Sequence, residues 1–384
     1  MKIETLTKND YNEVTELMNK VFGAKNGRQT DFEKELPKMC VPDDEHMSKY
    51  VAIRENGKIC ASVGIYPLYT NVCGVPLTFS TVGNVVTDEA ARGKGYMNAL
   101  MNEAMKRLEQ INADGSRLGG NRQRYNRFGY ELSGCTYEFR VGDNTTKQFG
   151  GEIDVTLERL SRDDREAIRV INNIHTSAPF YVDRAENSEL YGVYETLTAW
   201  QNEPYVALDK SGAPIGFLSV SPDGTAIADV GAASSEHLKQ IIFAWQKKAG
   251  RFITFTLPPH QYEDIKYFCK VSQEVKMYPS CNFKIINFDK VCDAFMKLKK
   301  SYLPNLPDGE AVIEIKDYGN IRLYSKDGIA GCEKTAAKAN ISFDRLSATR
   351  HIFGGYAPCE AFDSNMFLKL WLPLPLGWNT LDRV

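Results

Sequence analysis

The chain has 384 residues, of which 25% are charged and 43% hydrophobic, and its formal net charge is −2. This length predicts two or three domains. The balanced charge gives no electrostatic basis for a nucleic-acid or anionic-membrane partner, and no apolar run is long enough to predict a membrane span. The first residues lack the apolar core of a signal peptide, so we expect a cytoplasmic protein.

The nine cysteines are scattered along the chain, and none forms a CxxC pair. In a large chain this pattern predicts reduced, mostly buried thiols. The five histidines show no metal-ligand spacing, so we expect no metal site.

The N-terminal third predicts strands and helices in mixed order. The start, MKIETLTKNDYNEV, indicates a strand, a short turn and an amphipathic helix, and Asn56-Gly57 is a hairpin turn signal. Apolar spacing predicts a helix over 95–112. The predicted strands are 49–55, 58–69, two segments within 71–87 that are broken at 74–76, 115–119 and 130–141. This order predicts the α/β class, in its mixed α+β form, around one sheet.

Two further segments follow. The segment from about 152 repeats the strand-then-helix opening, and residues 204–220 resemble 49–66 in outline, which predicts an internal structural repeat. A strand and a helix are predicted within 225–249. The third segment, from about 286, predicts an amphipathic helix over 288–303 and strands over 311–317, 320–328 and 341–348, with a turn at Asp327-Gly328.

The motif with the clearest chemistry is VGNVVTDEAARGKGYMNALM, at 82–101. A strand ending at Thr87, a loop with two glycines and two cations, and a helix beginning near Tyr96 together predict an anion site. The first N–H groups of a helix have no partners within it, and the helix dipole favours negative charge there. Glycines allow a pyrophosphate to approach the backbone closely.

This loop resembles the pyrophosphate loop of the GNAT acetyltransferases. That loop has Gln or Arg, two residues, Gly, one residue, and then Gly or Ala. Arg92 takes the first position and Gly95 the central glycine. Met97 takes the last position and departs from the wider family, although the Eis-like (enhanced intracellular survival) subgroup tolerates a large residue there. The resemblance implies acetyl-CoA as co-substrate.

A second motif, GGNRQRYNRFGYE at 119–131, resembles the end of the GNAT core. In that family a tyrosine at the place of Tyr125 commonly acts as general acid and protonates the departing CoA thiolate. By the same resemblance the cofactor-binding residues are Val85, Val86, Thr87, Arg92, Gly93, Lys94, Gly95, Tyr96, Met97, Asn98, Gly120 and Asn121. A splay of the strands near Gly83-Asn84 would open the slot for the cofactor.

The layout of the whole chain also resembles the Eis-like group. It implies a catalytic GNAT domain over 1–150, a second GNAT-like domain without a working CoA loop over 151–285, and a sterol carrier protein-like α+β domain over 286–384. That group takes the free carboxylate at the chain end as general base, here Val384. Glu131, Asp88 or Glu89 could serve instead, or water alone could suffice.

The implied acceptor is a small-molecule primary amine, aminoglycoside-like or another cation. The acidic segment 28–50 could form a helix and loop over the acceptor site. The Eis-like group forms oligomers, often hexamers, so a homo-oligomer is expected.

Three alternatives stay open. One is the same fold with a longer acyl donor or an aminoacyl-tRNA donor. The second is a lipid-binding or scaffold protein with a vestigial GNAT core. The third is a regulatory protein that binds acetyl-CoA as a signal.

Overall fold

The computed structural model describes residues 2–27, 29–184, 192–355, 359–377 and 379–382. Its strands are β1 (Glu4–Thr5), β2 (Tyr50–Glu55), β3 (Lys58–Val72), β4 (Val75–Thr87), β5 (Gly115–Leu118), β6 (Glu131–Ser133), β7 (Thr136–Val141), β8 (Thr156–Arg159), β9 (Phe180–Val182), β10 (Glu203–Leu208), β11 (Pro214–Val220), β12 (Ala226–Ala232), β13 (Ile253–Leu257), β14 (Glu274–Tyr278), β15 (Cys281–Ile285), β16 (Gly309–Ile315), β17 (Gly319–Lys326), β18 (Ile329–Thr335) and β19 (Ile341–Phe343).

The α-helices separate and cover these strands. They are α1 (Tyr11–Asn26), α2 (Phe32–Glu35), α3 (Asp44–Met47), α4 (Tyr96–Gln110), α5 (Arg122–Tyr125), α6 (Asp143–Gln148), α7 (Arg165–Thr176), α8 (Val193–Leu197), α9 (Ser235–Ala249), α10 (Tyr262–Val271), α11 (Phe288–Tyr302), α12 (Arg345–Phe353) and α13 (Met366–Trp371). No helix in these described ranges combines the length and the apolar character that crossing a membrane requires. The predicted mixed α/β class is confirmed.

Two of the three sheets in the described part of the chain share one strand order. The first sheet has the order β1-β2-β3-β4-β5-β15-β6, with β9 pairing on β3, and the second has the order β8-β10-β11-β12-β13-β7-β14. In each sheet three successive antiparallel pairs lead to a parallel pair, β4 with β5 and β12 with β13. The helices α4 and α9 lie between the two strands of these parallel pairs in the sequence. The structure thus contains the internal repeat that the sequence predicted.

One strand of each sheet comes from the other segment of the chain. β15 pairs with β5 and β6 in the first sheet, although it lies beyond most of the second segment. β7 lies in the N-terminal segment but pairs with β13 and β14 in the second sheet. The domain boundaries near 150 and 285 stay predictions. Neither boundary divides the chain into the strands of one sheet and the strands of the other.

The third sheet has the order β18-β17-β16-β19 and packs against α11. Its side chains share one apolar core with the first sheet, α1 and the tail. The Pro-rich tail, residues 371–377, is anchored in this core, because Trp371 and Leu376 are buried. The Lys299 ammonium also donates to the carbonyl oxygens of Trp371 at 2.7 Å and Pro373 at 3.0 Å.

The hairpin turns agree with the sequence, whereas two predicted strands do not. The strand predicted over 130–141 is divided into β6 and β7, which join different sheets. Asn56-Gly57 and Asp327-Gly328 both adopt positive φ angles, as a tight hairpin requires. The strand predicted over 341–348 is wrong beyond Phe343. Asp344 accepts a hydrogen bond from the Ser347 amide and so caps α12. A side-chain cap at this position favours a helix over a continued strand. β18 was not predicted.

Candidate active site

An irregularity in β4 defines the centre of the site. Along the ladder between β3 and β4, Ser62 lies opposite Val86 and Gly64 lies opposite Gly83. One residue of β3 therefore faces residues 84–85 of β4, which is a β-bulge. A bulge bends its strand and leaves one backbone residue outside the ladder.

Asn84 holds the bulge in place. Its φ angle of 50° lies in the left-handed region, which asparagine tolerates better than most residues. The buried side-chain amide donates to the Tyr66 hydroxyl at 2.8 Å and to the Tyr50 hydroxyl at 3.1 Å. The bulge is therefore fixed from inside the first sheet.

The neighbouring parallel pair ends just before the bulge. β4 pairs with β5 from Phe79 to Thr81, opposite Gly115 to Arg117, whereas β4 continues to Thr87. The last residues of β4 thus extend beyond this pairing. This is the place where a splay was expected from the resemblance.

The loop after β4 ends at a helix N-terminus. Gly93 and Gly95 have φ angles of 80° and 81°, and Gly95 is the N-cap of α4. A Cβ atom at either glycine would meet nothing within 4 Å. The first turn of α4 carries no acidic residue. Its amide groups and dipole therefore present an accessible anion site.

The two cations of the loop have different surroundings. The exposed Arg92 lines the cavity described next. The Lys94 ammonium lies 2.8 Å from the Glu55 carboxylate, which also accepts a hydrogen bond from the Tyr96 hydroxyl. Arg92 is therefore the loop cation that faces the cavity.

A cavity of about 980 Å³ lies between the bulge, this loop and α5. Seven of the predicted site residues line it, namely Val85, Thr87, Arg92, Met97, Gly120, Asn121 and Tyr125. The predicted residues outside the lining are Val86, whose side chain is buried, and the loop and helix residues Gly93, Lys94, Gly95, Tyr96 and Asn98. Val384 lies outside the described residues.

Tyr125 stands at the end of α5 with 5% of its surface exposed. The Asn121 side chain caps this helix by accepting from the Gln123 amide. Burial raises the pKa of Tyr125, while the charge and hydrogen bond of Arg124 oppose that change. The phenol therefore keeps its proton at neutral pH, in contact with the cavity.

Part of the cavity lining was not predicted from the sequence. This part includes Phe22 of α1, Phe32 and Glu35 of α2, and Trp200. Phe22 and Phe32 have the apolar character of core residues, and Trp200 comes from a distant segment. Only the acidic character of 28–50 indicated a role near the acceptor, and Glu35 is the residue of its acidic set that lines the cavity.

The alternative proton acceptors lie elsewhere. Glu131 is fully buried, and its carboxylate bonds Arg122 at 2.7 Å and Arg350 at 2.5 Å. Burial alone would raise the pKa of Glu131, but these two arginines lower it. Asp88 bonds the Lys20 ammonium at 2.6 Å. Neither these carboxylates nor Glu89 line the cavity.

A buried charge cluster holds the last described residues. The Arg184 guanidinium bonds both oxygens of Asp382, at 2.7 and 2.8 Å, and one oxygen of Asp229 at 2.8 Å. The buried Lys38 ammonium donates to the Leu381 carbonyl. We call Lys38, Arg184, Asp229 and Asp382 the Arg184 cluster. The cluster joins the tail to both preceding segments of the chain. Its member Lys38 lies three residues after Glu35.

Acid is expected to destabilise the protein through His175. Burial, helped by the Arg184 charge, lowers the pKa of His175 to about 4, and its Nε2 lies 2.7 Å from the Val182 carbonyl oxygen. The unfolded chain binds this proton below about pH 6.5, so stability falls as the pH drops from 6.5 towards 4. Urea unfolding of His175→Gln should show a smaller loss of stability than the wild type between pH 6.5 and 4. The control is His237→Gln on α9, and equal pH profiles of stability for the two variants would contradict the assignment to His175.

The chain matches one family model and several solved structures. The family model described as "Acetyltransferase (GNAT) domain" matches residues 2–133. The chain carries a GNAT acetyltransferase domain. It is therefore an acyltransferase, and acetyl-CoA is its acyl donor. A comparison with curated proteins finds no match.

Solved structures resemble the chain over nearly its full length. A GCN5-related N-acetyltransferase from Anabaena variabilis is 15% identical, with 98% of each chain covered and a TM-score of 0.67. A probable N-acyltransferase from Enterococcus faecalis is 16% identical, with 97% of this chain and 96% of that chain covered and a TM-score of 0.65. Eis1 from Mycobacterium abscessus is 13% identical, with 99% and 98% covered and a TM-score of 0.64. At these identities the likeness describes the fold of the GNAT domain and of the residues that follow it.

Proposed function

We propose that the chain transfers the acetyl group of acetyl-CoA directly to a primary amine of a small molecule, in the cavity beside the β4 bulge. The observation that carries this proposal is the convergence of three features on one cavity. They are the open end of β4, the cation Arg92 beside a helix N-terminus, and the protonated phenol of Tyr125.

Acetyl-CoA is proposed to lie along the free edge of β4. Its pantetheine amides pair with the backbone of Val85, Val86 and Thr87, and Gly120-Asn121 contact the pantetheine or acetyl end. The pyrophosphate lies against the loop from Arg92 to Asn98, where helix amides, Arg92 and Lys94 favour an anion.

The reaction is proposed to pass through a tetrahedral intermediate. The amine nitrogen attacks the thioester carbonyl carbon, and the oxygen accepts a hydrogen bond from a backbone N–H near Val86 that the bulge leaves outside the ladder. The amine loses its extra proton to a carboxylate. The carbon–sulfur bond then breaks, and Tyr125 donates its proton to the CoA thiolate. The carboxylate of Val384 stays a prediction for the proton acceptor.

We propose an Eis-like layout, with GNAT-like units over 1–150 and 151–285 and a sterol carrier protein-like unit over 286–384. The repeated strand order of the first two sheets supports the tandem arrangement. The third sheet with α11 is a separate layer that is consistent with the last unit. A cytoplasmic homo-oligomer, such as a hexamer, is proposed from the same resemblance.

Replacing Gly95 with Ala should weaken acetyl-CoA binding. An L residue at a φ of 81° is strained by roughly 1–3 kcal/mol, so the loop will shift its helix amides away from the phosphate position. Gly250→Ala is the control for the strain alone, because Gly250, at the C-terminal end of α9, likewise has a positive φ and open space at its Cβ position. Calorimetric titration should show a Kd several-fold higher for Gly95→Ala alone. Equal affinities for both variants would contradict this role of the loop.

A thiol-release assay tests the proposed function. The purified chain is mixed with acetyl-CoA and a panel of aromatic amines, polyamines, aminoglycosides and peptide amines. Free CoA and the mass of each amine are followed together. One acetyl group gained per CoA released is the expected result. Acetyl-CoA binding without transfer to any amine would favour the regulatory alternative instead.

A further inference from the structure

Tyr125 lies in a segment that has little regular structure of its own. We call residues 119–131 the Tyr125 segment. It contains α5, which has four residues, and a further short helical turn over Asn126–Phe128. Helices shorter than about 12 residues are not stable in water by themselves. Contacts with other parts of the chain must therefore hold the Tyr125 ring in its place beside the cavity.

Glu131 ends the Tyr125 segment with a fully buried carboxylate. Arg122, the first residue of α5, donates to both oxygens of this carboxylate, from Nη2 at 2.7 Å. Arg350 of α12 donates to the same carboxylate at 2.5 Å, and the Asn126 amide donates to it at 3.4 Å. A buried carboxylate requires charged partners, and removal of one of them is costly. Glu131 therefore joins the beginning of α5 to α12 through one buried negative charge.

Two side chains of β15 hold the backbone of the Tyr125 segment at other points. The buried Asn282 amide donates to the Gly120 carbonyl oxygen at 3.0 Å. The Lys284 ammonium donates to the Phe128 carbonyl oxygen at 2.9 Å. Gly120 packs on the tyrosine ring, because a Cβ atom added to this glycine would lie 3.1 Å from Cε2 of Tyr125. These contacts fix the backbone on both sides of α5.

The donors from β15 and α12 lie outside the part of the chain that matches the GNAT family model. The match ends at residue 133, whereas β15 begins at Cys281 and α12 at Arg345. α12 packs against both β6 and β15, so these elements form one support for the Tyr125 segment. The motif with the proposed general acid thus belongs to the GNAT domain, but part of its support comes from residues that follow this domain.

We infer that Arg350 and Lys284 are positioning residues for acetyl transfer. They hold the Tyr125 segment so that the Tyr125 hydroxyl reaches the departing CoA thiolate. Neither residue lines the cavity, so they act through the Glu131 carboxylate and the Phe128 carbonyl. A displacement of about 1 Å in a reacting group can lower a rate about 100-fold. This inference rests on the proposed function and adds two residues from outside the matched domain to the requirements of the reaction.

Arg350→Met in the full chain tests the first contact. With the amine that reacts fastest in the thiol-release panel, we expect kcat to fall about 10- to 100-fold and the Kd for acetyl-CoA to keep its wild-type value. Arg350→Lys keeps a charged donor and should recover part of kcat. Arg345→Met is the control on the same helix, because the Arg345 guanidinium donates to the Asp317 carbonyl oxygen at 3.0 Å, and its kcat should match wild type.

The Tyr125→Phe background separates positioning from general damage to the fold. Without the Tyr125 hydroxyl there is no acid left to position, so adding Arg350→Met to Tyr125→Phe should lower kcat no further. Equal fold-losses of kcat in the two backgrounds, or a wild-type kcat for Arg350→Met alone, would overturn the inference and leave the proposed function intact.

Lys284→Met tests the second contact and should show the same dependence on Tyr125. It also decides the question if Arg350→Met does not fold, which urea unfolding of the purified variant will show. A wild-type kcat for Tyr125→Phe would overturn this inference, because the segment would then carry no acid. A wild-type chain that binds acetyl-CoA but acetylates no amine would overturn the proposed function as well.

Discussion

Tyr125→Phe is expected to lower kcat by about 100- to 10,000-fold, the usual contribution of a general acid. The ring remains, so acetyl-CoA should bind with its wild-type Kd. Burial raises the pKa of this phenol, which keeps the proton available at neutral pH. Steady-state CoA release and calorimetric titration of acetyl-CoA together measure the two quantities.

Tyr130→Phe is the matched control for this loss. Tyr130 belongs to the same sequence motif, but its hydroxyl lies 2.7 Å from the Ser116 hydroxyl and the residue does not line the cavity. We expect a lower unfolding midpoint and near wild-type kcat. If Tyr125→Phe kept wild-type turnover, Tyr125 would not be the acid, and a role in binding alone would remain.

Arg184→Met is expected to reduce the free energy of unfolding by about 3–5 kcal/mol, because it leaves buried carboxylates without their counter-charge. Arg184 is 1% exposed and bonds Asp229 and Asp382 together. Burial alone would raise the pKa of Asp382, but the Arg184 charge lowers it to about 2. Urea unfolding at pH 7 measures the effect.

Arg169→Met is the control, since Arg169 pairs with Glu166 on the exposed face of α7. Such surface pairs contribute little to stability, so its unfolding midpoint should match wild type. Adding Asp229→Asn and Asp382→Asn to Arg184→Met should recover part of the loss. An Arg184→Met midpoint equal to that of Arg169→Met would show that the cluster does not stabilise the fold.

Local signals in the sequence predicted much of the first sheet. The turn Asn56-Gly57 and the apolar spacing of α4 depend on neighbouring residues, and both elements are present. The end of β19 was missed because Asp344 acts as a cap, which competes with strand propensity.

Strand partners were not predictable from these patterns. The pattern over 130–141 predicted one strand, but it specified neither the division into β6 and β7 nor which sheet each of them joins. β7 joins the second sheet and β15 the first, so each pairing depends on residues more than a hundred positions away. The exchange follows from tertiary packing of the two repeated units.

The donor side of the candidate site was accessible from sequence, and the acceptor side was not. The loop glycines and Tyr125 lie within one continuous stretch with recognisable motifs. Phe22, Glu35 and Trp200 come from separate elements, and each has an ordinary explanation as a core or surface residue. Only the folded arrangement brings them to one cavity.

A single-turnover experiment with acetyl-CoA labelled with ¹³C in its acetyl group tests direct transfer most directly. Protein, labelled acetyl-CoA and an acceptor amine are mixed, quenched and analysed by mass spectrometry. The account predicts one labelled acetyl group on the amine for each CoA released, and an unlabelled protein at every time. A labelled protein that forms and decays before the amine is acetylated would contradict direct transfer at this cavity.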